Sequence, residues 1–110
     1  MAMNTRTAYL EWIYKDVLVN PDGRCTREME TRYVVPMNHI VYISTTPCVE
    51  KYGDKYEYGM TLAIKLVCGE SILMRVLKAD ADDVMRVFLS GRTEYLGVIR
   101  SLKQSLGFRG

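Results

Sequence analysis

The residues best equipped for chemistry stand close together near the middle of the chain: Lys51, Tyr52, Lys55, Tyr56 and Tyr58, in a stretch that reads TTPCVEKYGDKYEY. Phenol rings stack on bases or on apolar side chains, and ammonium groups attract phosphate, so this cluster suits either a nucleic acid or a protein partner. Glu50, Asp54 and Glu57 are interleaved with it and leave residues 50 to 58 net negative, which weakens the nucleic-acid reading. A second cationic set, Arg92, Arg100 and Lys103, falls within about 80° on a helical wheel and would add phosphate contacts from a helix edge.

Other chemistries lack parts. The chain has one histidine, His39, and three cysteines, Cys25, Cys48 and Cys68, with no CxxC, HxxxH or HExxH spacing to converge on a metal. A Cys48–His39 pair has no third residue to orient it. Asp80, Asp82 and Asp83 are explained by a helix start, and the glycines form no phosphate-cradling motif. Catalysis is therefore disfavoured, and no cofactor is implied. Seven methionines, eight tyrosines and one tryptophan supply adaptable and anchoring contacts. These favour a small non-catalytic module that binds a protein, either an adaptor or a homo-oligomer, with nucleic-acid binding through 51–58 and the basic helix edge as the alternative.

Several elements must position these groups. Met60, Leu62, Ile64 and Leu66 alternate with Thr61, Ala63 and Lys65, the period of a strand with one buried face. Cys68-Gly69-Glu70-Ser71 makes a tight turn, and Ile72 to Leu77 pairs back. Near Ala79 the period changes. Asp80 is expected to cap a helix whose residues Ala81, Val84, Met85, Val87, Phe88 and Leu89 cover a broad apolar arc, ending at Ser90-Gly91. Upstream, Thr7 to Val19 reads as a strand with apolar groups on both faces, turned by Asn20-Pro21-Asp22-Gly23 into a strand from Cys25 to Val35. Pro36 should end that pairing, and His39 to Ser44 is a further strand. Thr45 to Glu57, with Pro47 and Gly53, reads as a long hairpin loop. Thr93 to Leu106 reads as a second helix with a stripe of Tyr95, Val98, Ile99, Leu102 and Leu106; Gly97 inside it marks close packing or a kink, and Gly107-Phe108 ends it.

The expected order is β-β-β-β-β-α-α: an α+β fold with an antiparallel, bent sheet or partial barrel of about five strands, followed by one or two C-terminal helices. At 110 residues the chain fits a single domain, 1–110, and a net charge of +2 creates no strong field. No apolar run reaches the roughly 20 residues that span a bilayer. The opening segment lacks a signal peptide's apolar core, and the odd, unspaced cysteines read as reduced thiols, so a cytoplasmic location is expected. In element order, VVPMNHIVYIS followed by MTLAIKLVCGESILMRV and a helix is similar to pleckstrin-homology-like domains and to the LytTR type of DNA-binding domain. No lipid- or DNA-contact motif of those families maps onto these residues, so the resemblance carries over no functional position.

Overall fold

β-branched and aromatic side chains fill Tyr9–Val19 (β1), which pairs antiparallel with Cys25–Pro36 (β2). The computed structural model describes residues 8–22 and 24–106, with Cys25 described by its backbone alone. The connection turns at Pro21-Asp22: Asp22 Oδ1 accepts the Arg24 amide at 3.1 Å, and the Asn20 N–H donates to the Arg24 carbonyl at 2.8 Å. Gly23, the last residue of the expected turn, lies outside the described residues, as does the expected terminator Gly107-Phe108. A single 3-10 turn, Met37–His39, leads into an antiparallel meander of Ile40–Tyr52 (β3), Lys55–Leu66 (β4) and Ser71–Val76 (β5). The helix Lys78–Ser90 (α1) follows, then Glu94–Arg100 (β6), which lies parallel to β1, and the short helix Leu102–Ser105 (α2).

Two three-stranded sheets result, ordered β2-β1-β6 and β3-β4-β5, and an isolated bridge between Val76 and Ser101 joins them. The molecule measures 62 × 24 × 24 Å. One core unites both sheets and α1: Leu10, Trp12, Val35 and Ile99 from the first sheet, Leu62, Ile64, Met74 and Val76 from the second, and Ala81, Val84 and Val87 from the helix. Trp12 is its largest fully buried side chain. Its ring stacks on Tyr33 at a centroid distance of 4.9 Å, and its Nε1–H donates to Met74 Sδ at 3.3 Å, so the indole's polar atom is satisfied inside the core. The buried face of Met60 to Leu66 and the apolar arc of α1 meet in one interior: Ile64 and Val84 are buried in this core, with Met60 and Phe88 packed against it.

The α+β reading therefore stands in coarse form, but in place of one antiparallel sheet or partial barrel of about five strands the described residues form six strands in two open sheets, one of them mixed by the parallel β6, and a strand separates the two helices. Residues 93–106 are the main correction. Glu94–Arg100 is a strand, and only Leu102–Ser105 is helical. A bulge explains the misreading. The β1–β6 register slips between Glu11 and Ile13, opposite Gly97, whose φ of +78° suits glycine. One inserted residue stretches the strand's twofold spacing to three, bringing Leu96 and Ile99 to the core and Tyr95 and Val98 to the other face, and the pair Tyr95–Val98 beside Ile99 imitates a helical stripe.

Thr45 to Glu57 is not a long loop either. The strands continue to a two-residue turn at Gly53-Asp54, where Gly53 has φ +62°, as a type II′ turn requires at its first position. Pro36 still stands opposite Tyr9 as the last rung of its ladder. Leu77, with no side-chain cap, holds the N-cap of α1 and leaves Asp80 within the first turn; Gly91 ends the helix at φ +68°, as expected. The helix buries a narrower stripe than its apolar arc implied, and Leu89 is 76% exposed.

Candidate functional site

The longest strands of the second sheet build the site. β5 pairs with β4 only from Met60 to Lys65, so the rungs from Cys48–Gly59 to Tyr52–Lys55 have no third strand beside them. Alternation continues through these rungs. The face that sends Leu62 and Ile64 into the core carries Pro47, Val49, Lys51, Tyr56 and Tyr58 further out. There Val49 is 41%, Tyr56 52% and Tyr58 73% exposed. Lys51 Nζ stands 5.2 Å from the centre of the Tyr56 ring, a cation–π contact that leaves the ammonium on an aromatic surface.

The opposite face is held down. A Cβ on Gly59 would come within 2.2 Å of the Val76 carbonyl oxygen and 2.7 Å of a Leu102 methyl, so β4 crosses the end of β5 and the start of α2 at a separation that only glycine permits. Arg75 then reaches over from β5. Its guanidinium donates to Glu50 Oε2 at 2.6 Å and to the Val49 carbonyl at 2.8 Å. Its partial burial works against the charged form, but the Cys48 thiol and Glu50 outweigh that and hold Arg75 above its ordinary pKa. Tyr14, Asp16, Glu50, Arg75 and Lys103 share a recess of about 330 Å³ on this side. Burial, reinforced by the Asp16 charge, pushes the Tyr14 hydroxyl far above the usual tyrosine range, so it stays protonated.

The free edge of β3 is blunted by three devices. A two-residue turn makes Tyr52–Lys55 a hydrogen-bonded pair, so odd-numbered β3 residues near the tip turn their backbone groups outward. Pro47 is one of these, and it presents no N–H. The outward carbonyl of Val49 is taken by Arg75, and a register shift interrupts the strand between Ile40 and Tyr42. A partner would therefore meet side chains on the open face rather than a continuous row of backbone donors and acceptors.

Of the sequence-derived candidates, Lys51, Tyr56 and Tyr58 share the open face, while Lys55 flanks the turn. Tyr52 lies with Lys103, Val19 and Leu106 around a recess of about 100 Å³. Arg92, Arg100 and Lys103 do not share a helix edge. Arg92 follows α1, Arg100 ends β6 and Lys103 sits on α2, because the expected helix is a bulged strand and one short turn of helix. Cys48 and His39 are nine residues apart along extended chain, about 30 Å, so they form no dyad. Cys48 and Cys68 are free thiols. Arg75 and Gly59 were not singled out in the sequence. The only signal for Arg75 was a lone charge within an apolar strand, and the only one for Gly59 was a glycine opening a clean alternation.

Among the described residues, no three His, Cys, Asp or Glu side chains converge as a metal site, and no helix is long and apolar enough to cross a membrane. Compared with known proteins, the chain matches no family model, no curated protein and no solved structure.

Proposed function

We propose that this chain is a non-catalytic protein-binding module, acting in the cytoplasm, that docks a protein partner, a second copy of itself included, through the open face of the β3–β4 ribbon. One observation carries the reading. The apolar face of the second sheet runs beyond the core and beyond β5 as Val49, Tyr56 and Tyr58, rigidly backed on its other side by Gly59, Arg75 and α2. Aromatic side chains on a stiff backing lose little freedom when they bind, which is the character of interface anchors. The free thiols suit a reducing compartment.

Sedimentation of the intact chain across a dilution series, beside Tyr56→Ala/Tyr58→Ala, tests the reading. The expected result is concentration-dependent self-association that the double variant loses, with thermal stability nearly unchanged. A chain monomeric at every concentration that instead binds oligonucleotides, with affinity falling steeply as salt rises, would move the function to nucleic acid.

A further inference from the structure

The outer face of the first sheet holds a feature the docking surface does not use. Lys15 on β1 stands directly opposite Arg100 on β6, so two cations are adjacent across a strand pair where like charges repel. On the other flank, Lys15 faces Glu30 and Val17 faces Glu28 on β2. Lys15 Nζ reaches Glu30 at 3.6 Å, whereas Arg100 forms no salt bridge among the described residues; the charge it influences is Asp80, at the start of α1. Gln104 of α2 reaches across to this face, where its Nε2 donates to Glu28 Oε1 at 3.3 Å. That contact fixes the amide, since the flipped orientation would set two acceptor oxygens against each other. Gln104 Oε1 is consequently buried with no hydrogen-bond partner among the described residues. Lys15, Glu28, Arg100 and Gln104 line an open recess of about 300 Å³.

Two cations line one side of this recess and the Glu28 carboxylate the other. We propose that it binds a small zwitterion of the free α-amino-acid type, with its carboxylate between Lys15 and Arg100 and its ammonium against Glu28. A carboxylate there relieves the repulsion between the two cations, and an ammonium pairs with the Glu28 carboxylate. The volume is at the lower limit for a ligand site and fits an amino acid rather than a nucleotide.

The test is a titration of the intact chain followed by backbone amide chemical shifts. L-alanine is the probe, with N-acetyl-alanine, alanine amide and inorganic phosphate beside it. The expected result is a saturable shift at Lys15, Glu28, Arg100 and Gln104 with L-alanine, and binding at least about tenfold weaker for the analogues lacking either charge. Arg100→Gln and Glu28→Gln should each weaken L-alanine at least about tenfold while leaving the rest of the spectrum in place. No shift with L-alanine up to its solubility limit would overturn the proposal. So would equal binding of phosphate or N-acetyl-alanine, which would make the recess a simple anion site, or an unchanged response in both variants.

Discussion

The two long hairpins have nearly equal strands and opposite surfaces. On β1–β2 the outward residues are charged and paired across the strands, Lys15 with Glu30 and Arg32 with Glu11, and the free edge strand β2 carries Arg27, Glu28, Glu30 and Arg32. On β3 there is no charged residue from Ile40 to Val49. That edge is instead guarded by a proline, a bulge and an arginine borrowed from β5. Both solutions discourage edge-to-edge pairing. They differ in what they leave available. Charges protect a hairpin by covering it, whereas the devices on β3 block the backbone and leave the tyrosine face clear.

Substitutions can break or sharpen that contrast. The first hairpin is anchored by Trp12, which is fully buried between Tyr33 and Met74, so Trp12→Ala should cost about 3–5 kcal/mol in urea unfolding. The second is anchored by an absence of side chain. Gly59→Ala forces a methyl against the Val76 carbonyl and should cost about 2–3 kcal/mol; a neutral outcome would mean that β4 does not cross so closely. The arginines give the finest comparison. Arg75→Ala strips Glu50, whose side chain is only 13% exposed, of its partner, and uncaps the Val49 carbonyl, for an expected loss of about 1–2 kcal/mol. Arg32→Ala removes only a solvated pair with Glu11 and should fall within about 0.5 kcal/mol. If the two losses were equal, the ribbon would not be held by Arg75.

What could be read from residue order alone followed the same divide. Strands that alternate cleanly, such as Met60 to Leu66, and a helix closed by Gly91 were legible because periodicity and glycine conformation are local properties. The bulge at Gly97 was not, because the inserted residue makes sense only beside β1. Nor was the length of the β3–β4 ribbon: Pro47 looked like a loop residue until the register showed its missing N–H directed at an unpaired edge. The tyrosine and lysine cluster was visible, and Lys51, Tyr56 and Tyr58 do share a face. Its partition into an open and a clamped side depends on Gly59 and Arg75, whose roles arise from distant strands.

The parallel pairing of β1 with β6 also sets an order of events in the making of the chain. β1 is the middle strand of its sheet, yet Leu10 stands opposite Glu94 and Lys15 opposite Arg100, partners far apart along the chain. A nascent chain emerging from the ribosome can zip β1 to β2 early, but the other flank of β1 stays bare until β3 to β5, α1 and β6 itself have been translated. Pairing across so long an intervening stretch is slow, so a newly made molecule passes its most aggregation-prone interval with that flank uncovered, and a chain cut short before β6 never leaves it.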